Sequence, residues 1–342
     1  MAGIVSIAQA LNISPSTVSR ALSRPDMVSA QTRELILREA QKQGYLHKVM
    51  TNPVRQIVPP SIGILVADLN NSFSSLILNA ALDVFTGSEY YPVVNSSCED
   101  PQREARILKQ WERLHLAGVI VMPTSGFYKS YTANLAEVPV VLVDRDVPEI
   151  NCSKVLVDND AGAKLCVEHL LQQGHSKILF VSGSHNVYTF KKRSEAAQRA
   201  YAQVEIAELK AVSYEELYMG AFELMNMILL RPKDKRPTAI VASNNALAAG
   251  ILYAVNLKQL QMPDDIALIS FGDSEWSRFY PTSISALRMP ADDLGRMAAE
   301  IMLQQLQSSR MEDSSGQPHK PVQNDCHLLS PMLMPRASTI RR

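Results

Sequence analysis

A run of small and polar residues, 14–20, lies close to the N-terminus and ends in an arginine. The guanidinium of Arg20 carries parallel N–H donors, which match the two acceptors that guanine shows in the major groove of DNA. A helix enters that groove when its early residues are small or polar, so that base edges and phosphates come within reach. The run therefore has the composition expected of a DNA-reading helix. A generic three-helix bundle with a solvated polar face is the alternative.

A second set of polar residues follows short apolar runs further along the chain. These polar segments are 68–73, 144–145, 182–184, 243–245 and 272–274. Ligands of parallel α/β folds bind at the carboxyl ends of the strands, and between the lobes where there are two. We therefore expect these segments to line a ligand cleft.

Other kinds of chemistry lack support in the sequence. It has no G-x-S-x-G, P-loop, G-x-G-x-x-G or H-E-x-x-H motif. His169 and His175 are six residues apart across a predicted helix end, where a structural role is expected. The cysteines form no C-x-x-C pair, being Cys98, Cys152, Cys166 and Cys326. We expect reduced thiols, no metal, no cofactor and no enzymatic activity.

Charge is distributed unequally along the chain. The 342 residues suggest two or three domains, and 34 basic against 34 acidic residues give a net charge of zero. Residues 1–56 hold seven basic and three acidic residues, so this segment carries +4 and the remainder −4. The sequence shows neither an apolar run of about 20 residues nor a signal peptide, which predicts a cytoplasmic protein with no membrane partner.

Local patterns in the basic segment predict three helices. Apolar residues recur at helical spacing in the first, at Ile4, Ile7, Ala8 and Leu11. Ser14 as N-cap and Pro15 as first residue predict a second helix that ends near Leu22. Ser29 caps a third helix that ends at Gly44 and whose apolar face is Leu35, Ile36 and Ala40. Two short helices joined by a tight turn favour a helix-turn-helix.

From Ser61 onward, short apolar runs alternate with helical patterns. Strands are predicted at 62–67, 91–95, 118–122, 138–143, 177–181, 238–242 and 266–271. Helices are predicted near 74–86, 101–114, 161–173, 189–203, 215–230, 245–258 and 290–306. This alternation is typical of parallel sheets covered on both faces, and its length suits two doubly wound lobes.

The segment 14–45 resembles the DNA-binding headpiece of the LacI/GalR family of repressors. It contains the T-V-S-R core, the V-S-x-x-T-R step and the closing G-Y. The resemblance implies that the second helix reads the major groove. By position, the base-facing residues are Pro15, Ser16 and Arg20, and the residues that meet the backbone are Ser14, Thr17, Ser19 and Tyr45.

The segment after the headpiece departs from this family. Its members continue with a short hinge helix that wedges a leucine into the minor groove. Here Pro53 falls inside the expected helix, where it removes a donor unless the helix begins there with Asn52 as N-cap. Val54 aligns with the wedging leucine and is the predicted minor-groove contact. We interpret residues 47–60 as a hinge or linker.

The resemblance extends through the rest of the chain. It is carried by the segments 168–183, 236–252, 262–275 and 283–303 and by the ending LMPRASTIRR. It implies a core like that of a periplasmic sugar-binding protein. Matched by position, its effector residues are Asn71, Phe73, Arg193 and Asn244, and cleft-lining loops add Arg145 and Asp273.

Two details resemble the gluconate-type branch of the family. Asn245 replaces an aspartate of the usual motif, and Phe271 is followed by Gly272 rather than directly by aspartate. Fewer carboxylates beside Lys191, Lys192 and Arg193 would suit an anionic ligand such as a sugar acid. Alternatively, the two lysines are simply solvated.

The predicted fold class is α plus α/β, with a helix-turn-helix headpiece and a two-lobed periplasmic-binding-protein-like core of doubly wound parallel sheets. The predicted bounds are 1–46 for the headpiece and 61–342 for the core. Within the core, the N-lobe is 61–158 plus 289–322 and the C-lobe is 159–288 plus 323–342.

The predicted function is repression of carbohydrate-metabolism genes through double-stranded operator DNA, under the control of a sugar or sugar-acid effector. We expect a homodimer, or a tetramer, with a face near 74–86. A transport solute-binding protein without DNA binding and a sugar-processing enzyme are the alternatives.

Overall fold

The computed structural model describes residues 4–23, 28–42, 59–135, 138–315 and 324–340. The chain divides into two compact units, Met1–Pro59 and Pro60–Arg342. Among the helices described, none combines the length and apolar character needed to cross a bilayer.

The first unit contains three helices: α1 (Ile4–Leu11), α2 (Pro15–Ser23) and α3 (Ala30–Lys42). The Ser14 hydroxyl accepts a hydrogen bond from the Thr17 amide at 3.2 Å and so caps α2 as predicted. Their shared core comprises Ile7, Ala8, Val18, Ala21, Ile36 and Ala40. The prediction for Leu35 is wrong, because this side chain is 54% exposed. Ile36 and Ala40 lie one turn apart on the buried face, and Leu35 lies beside that face.

In the second unit, the N-lobe is built on a parallel sheet of strand order β11-β5-β4-β3-β1-β2. Its strands are β1 (Ser61–Val66), β2 (Tyr91–Ser96), β3 (Gly118–Val121), β4 (Val140–Val143), β5 (Ser153–Val157) and β11 (Cys326–Leu329). Its helices are α4 (Ser72–Phe85), α5 (Pro101–Trp111), α6 (Phe127–Asn134) and α12 (Ala291–Ser315), with a 3₁₀ turn at Glu112–Leu114.

The C-lobe sheet has the order β12-β10-β9-β8-β6-β7, in which β12 alone runs antiparallel to its neighbour. Its strands are β6 (Ile178–Ser182), β7 (Glu205–Glu208), β8 (Ala239–Ala242), β9 (Ala267–Phe271), β10 (Ser285–Arg288) and β12 (Met332–Met334). Its helices are α7 (Asn159–Gln172), α8 (Tyr188–Ala200), α9 (Tyr214–Leu229), α10 (Asn245–Leu257) and α11 (Glu275–Phe279), with a 3₁₀ turn at Lys233–Lys235.

The chain passes between the lobes after β5, after β10 and again between β11 and β12. The third crossing corrects the predicted boundary at residue 322. Strand β11 pairs with β5 in the N-lobe, with Leu329 opposite Val157, so residues 326–329 belong to the N-lobe. The crossing therefore falls at residues 330–331, because β11 completes an N-lobe edge before the chain returns to β10.

Helices α4 and α12 cross closely in the N-lobe because α12 carries a glycine at the contact. A β-carbon added to Gly295 would lie 2.1 Å from the Ile77 carbonyl oxygen, and this neighbour is backbone that cannot rotate away. The sequence therefore specifies the spacing of the two helices through a single small residue.

Replacing Gly295 with alanine is expected to destabilise the core by at least about 1 kcal/mol, since overpacking outweighs the gain in helix propensity. Urea unfolding measures the effect. Gly220→Ala is the matched control, because its added β-carbon meets only the flexible Leu209 side chain at 3.1 Å. Equal midpoints for the two variants would contradict the close-crossing argument.

Candidate ligand-binding site between the lobes

A cavity lies between the two lobes at the carboxyl ends of their strands. It is partly open to solvent, and its lining combines charged, polar and aromatic side chains, as ligand pockets do. The N-lobe contributes Asp68, Asn71, Phe73, Glu99, Asp144 and Arg145. The C-lobe and the crossover contribute Thr189, Phe190, Arg193, Val212, Tyr214, Leu217, Asn244, Asn245, Phe271 and Met289. We call this space the central cavity.

Arg193, on α8, is the most constrained polar side chain of the central cavity. It is only 4% exposed. Its Nε donates to Asn159 Oδ1 at 2.7 Å and its Nη1 to the Ser243 carbonyl at 2.7 Å. Its guanidinium lies 4.7 Å from the centre of the Phe271 ring. Burial lowers the pKa of Arg193 to about 10, which Asp144 opposes. The arginine stays charged at neutral pH and is held rigidly at the cavity wall.

Arg145 and Glu99 form a bidentate ion pair on the N-lobe side. The Arg145 Nη1 and Nη2 atoms donate to the two Glu99 carboxylate oxygens at 2.7 and 2.5 Å. Nη1 also donates to the Pro123 carbonyl at 3.2 Å. Burial alone would lower the pKa of Arg145, but Glu99 outweighs it and raises the pKa. Glu99 accepts hydrogen bonds from two nitrogens of Arg145. Arg145 therefore contributes a positive charge to the cavity wall and has few N–H donors left for a ligand.

Asp144 lies close to both arginines; the sequence placed it in a cleft-lining segment but did not single it out as an effector residue. It directly follows β4, and its backbone adopts a left-handed φ of 66°. Its Oδ1 is buried and has no hydrogen-bond partner among the described residues. Burial raises the pKa of this carboxyl group, against the opposing effects of Arg193 and Arg145. A buried acceptor without a partner is costly, so a ligand hydroxyl would satisfy it.

Asn71 and Asn244 lie on opposite lobes at the N-termini of α4 and α10. Each uses its side-chain oxygen as a helix cap, accepting from the amides of Phe73 at 3.1 Å and Leu247 at 2.9 Å. Capping fixes both side chains and leaves their amide N–H groups as the donors that they can offer to a ligand.

Asn245, the first residue of α10, faces the loop after β9. With its amide nitrogen directed at the carbonyl oxygens of Phe271 and Gly272, the separations are 3.2 and 3.1 Å. Gly272 adopts φ +107°, and an added β-carbon would lie 2.2 Å from the Asn245 side chain. Asn245 therefore holds this loop against α10.

Asp273 lies outside the central cavity, contrary to its predicted role. Its carboxylate accepts hydrogen bonds from Arg288 at 2.7 and 2.9 Å, Arg336 at 2.6 Å and Arg278 at 3.2 Å. Burial would raise the pKa of Asp273, but these arginines lower it. The inserted Gly272 shifts the aspartate one position along the loop, so it joins an ion-pair cluster and not the ligand wall.

The lysines expected beside Arg193 do not reach the central cavity. Helical geometry turns consecutive residues through about 100°, so Lys191 and Lys192 point elsewhere. Lys191 is exposed, and the Lys192 ammonium lies 5.9 Å from the centre of the Tyr188 ring.

The predicted DNA-contacting residues of α2 lie together on its surface. Ser14, Pro15, Ser16, Ser19 and Arg20 are exposed, and Thr17 is partly buried. Arg20 Nε donates to the Ser16 carbonyl at 3.2 Å. Tyr45 and Val54 lie outside the described residues.

The fold and the cavity define a two-lobed ligand-binding protein. Its family follows from sequence comparison, since the family described as "Periplasmic binding protein-like domain" matches residues 167–339. The chain belongs to this family.

Characterised relatives resemble most of the chain. It is 27% identical over 305 residues to the arabinose metabolism transcriptional repressor of Geobacillus stearothermophilus, covering 83% of each chain. It is 26% identical over 314 residues to the ribose operon repressor of Halalkalibacterium halodurans, covering 91% of this chain and 92% of that protein. These relatives confirm the expected resemblance to LacI/GalR repressors, which are not enzymes.

A solved structure shows the same fold for the core. A LacI family transcriptional regulator from Enterococcus faecalis with bound ribose superposes with a TM-score of 0.70 at 19% identity. The match covers 82% of this chain and 98% of that one.

Proposed function

We propose that the protein is a cytoplasmic, sequence-specific DNA-binding repressor of carbohydrate-metabolism genes, and that a small sugar-like effector in the central cavity controls its operator affinity. One observation carries this proposal: a three-helix unit, which exposes Ser14, Pro15, Ser16, Ser19 and Arg20, is joined to a two-lobed core with a polar cavity. The alignment with the ribose operon repressor spans 91% of the chain, more than the second unit alone, so it extends into the first unit.

The first unit is proposed to be a helix-turn-helix headpiece with α2 in the major groove. The surface of α2 offers hydroxyl groups for phosphates and Arg20 for a guanine edge. The positive balance of residues 1–56 would favour DNA, whereas the negative balance of the core would discourage nonspecific contact. Tyr45 and Val54 remain predicted contacts from the sequence.

The effector is proposed to bind through hydroxyl groups. Arg193, Asn71 and Asn244 provide donors, Asp144 provides the acceptor, and Phe73 provides an apolar wall. Because Glu99 already pairs with Arg145, and Asp144 faces Arg193, the central cavity holds no excess positive charge. This balance favours the neutral ring of a sugar in the central cavity. The acid group of a sugar acid would require a separate place.

A homodimer is proposed because one small headpiece reads too few base pairs for operator specificity. Helix α4, the predicted face, and the loop before it expose Leu76 (49%) and Leu69 (48%). On the C-lobe, Tyr253 and Phe279 are also exposed. An effector that binds one arrangement of the lobes more tightly would bias the headpieces of such a dimer. A tetramer is the alternative assembly.

The test is DNA selection from a random duplex library with the full chain, followed by gel-shift titration at several salt concentrations. We expect one selected sequence with two half-sites, an affinity that falls with salt, and two chains per duplex in sedimentation. Addition of sugars should change this affinity. Sugar binding without any sequence-selective DNA binding would instead support a solute-binding protein and would reject the repressor.

A further inference from the structure

A second space, adjacent to the central cavity, opens at the mouth of the cleft. We call it the mouth groove; it is lined by residues 123–126, 128–129 and 145–149 of the N-lobe and 185–188 and 191 of the C-lobe. Its volume is about 630 Å³, and it is partly open to solvent. Arg145 lines both spaces, so the two lie next to each other.

Two helices, one from each lobe, begin at the mouth groove. Helix α6 begins after Gly126 and α8 after Val187, and in neither does a side chain cap the N-terminus. Neither has an acidic residue in its first turn. Other helices of the core have side-chain caps, namely Asn71, Asp100, Asp158, Ser213 and Asn244. The Phe127 amide of α6 donates to the Thr124 carbonyl at 3.2 Å, and the other first-turn amides of α6 and α8 would favour an anion in the groove.

Each of these helices also carries a lysine near its N-terminus. Lys129 of α6 and Lys191 of α8 are exposed, line the groove, and form no ion pair within the described residues. A cation at a helix N-terminus opposes the helix dipole, so both lysines occupy unfavourable positions for the protein alone. A bound anion would neutralise this unfavourable interaction of lysine and helix dipole at both helices.

The remaining charges of the groove are largely compensated. Asp146 pairs with Lys154 at 2.5 Å, and Arg145 pairs with Glu99. His185 Nε2 lies 3.1 Å from Ser194 Oγ, and its Nδ1 lies 3.7 Å from Glu208. Glu149 is exposed and is the remaining carboxylate of the groove. Lys129 and Lys191 therefore leave a positive excess.

A buried donor next to the groove also lacks a partner. Arg145 is nine-tenths buried, and its Nε has no hydrogen-bond partner among the described residues. Its other two nitrogens are engaged by Glu99 and Pro123. The charge of Arg145 is compensated by Glu99 and by Asp144, whose Oδ2 lies 3.8 Å from Nε, so what the N-lobe wall holds is a buried N–H donor without a hydrogen bond.

We propose that the mouth groove binds the phosphate monoester of a phosphorylated sugar whose ring occupies the central cavity. Lys129 and Lys191 hold this group from opposite lobes. A phosphate monoester carries nearly two negative charges and three acceptor oxygens, which match two ammonium groups and two helix N-termini. Bridging of the lobes by the phosphate favours the closed cleft, so the phosphate is the part of the effector that drives the conformational change. This inference rests on the proposed sugar site.

The test compares matched ligand pairs by calorimetry with the full chain: ribose and ribose 5-phosphate, glucose and glucose 6-phosphate, fructose and fructose 6-phosphate, and gluconate and 6-phosphogluconate. For at least one pair we expect the phosphorylated member to bind about tenfold more tightly or better, with an affinity that falls with salt. In the Lys129→Gln/Lys191→Gln double variant this preference should disappear, while binding of the parent sugar is unchanged. Lys258→Gln, an exposed lysine outside the groove, is the control and should keep the preference.

Three results would overturn the inference, and they are distinguishable. Equal binding of the members of every pair, or a preference that survives the double substitution, would reject the phosphate site and leave the sugar site standing. Absence of binding by every compound would reject the sugar site as well, and the inference with it.

Discussion

Replacing Arg193 with alanine is expected to abolish the rise in melting temperature that a bound effector produces. A saturating ligand at about 100 times its Kd stabilises its protein by about 2.7 kcal/mol, so the lost shift is readily measured by scanning fluorimetry. The physical reason is that Arg193 is rigidly held, by Asn159 and by the Ser243 carbonyl, at the wall that faces the ligand. Arg193 lies on α8, and its side chain hydrogen-bonds both to α7 and to the residue that follows β8. Among the described residues of the cavity, no other side chain links these three elements.

The same substitution is also expected to destabilise the unliganded core. The experiment must therefore distinguish lost stability from lost effector binding. Removal of the guanidinium leaves the buried Asn159 Oδ1 and Ser243 carbonyl without this donor, at about 1–3 kcal/mol each, and takes away a positive charge that favours ionised Asp144. Arg193→Lys keeps a positive charge near Asp144 but cannot reproduce the forked donors, so it should fold more stably than the alanine variant and still bind weakly.

Arg199→Ala is the matched control for Arg193. Arg199 lies on the same helix, is exposed and pairs with Asp160 at the surface, so its loss should leave the effector-induced shift intact. An unchanged shift in Arg193→Ala would show that the effector binds elsewhere.

The sequence predicted the alternation of strands and helices because the central strands are continuous apolar runs buried on both faces. Strands β3, β4, β6, β8 and β9 show this pattern. Five strands were missed, namely β5, β7, β10, β11 and β12. Strands β5 and β10 are largely buried, so burial alone does not explain why they were missed. Strand β7 reads EIAE and lies at an edge, and β11 and β12 hold only exposed and partly buried residues. Their position depends on pairing partners far away in the chain, which local patterns do not encode.

The residues of the candidate site were likewise predicted only in part from the sequence. Arg193, Asn71 and Asn244 were identified by position, and the structure brings them together with Phe73 and Arg145 around one cavity. Asp273 was misplaced because its role depends on Arg288 and Arg336, which come from distant segments. Lys191 was named from the sequence as a neighbour of Arg193, but its place beside Lys129 was not predicted, because the two lysines are 62 positions apart and line one groove only in the folded core.

Replacing Arg20 with alanine is expected to remove operator preference while leaving effector binding unchanged. A bidentate contact to guanine is worth about 1–3 kcal/mol, so the affinity for the selected operator should fall between about fivefold and 150-fold. Binding to unrelated duplexes should fall much less, because phosphate contacts supply that affinity. Gel-shift titrations with the operator and with a scrambled duplex measure both quantities.

The control variant must lose one positive charge from the same unit without altering the proposed DNA-facing surface of α2. Arg38→Ala meets this requirement, because Arg38 is exposed on α3 and pairs with Glu34 at 2.7 Å. Its loss should lower affinity for both duplexes alike, by a small factor. If Arg38→Ala reduced the operator preference as much as Arg20→Ala, net charge rather than base reading would explain the effect. The proposed role of α2 as recognition helix would then be rejected.

If Arg20→Ala instead removed the effector-induced thermal shift as well, the substitution would have disturbed folding beyond the surface of α2, where Arg20 lies exposed.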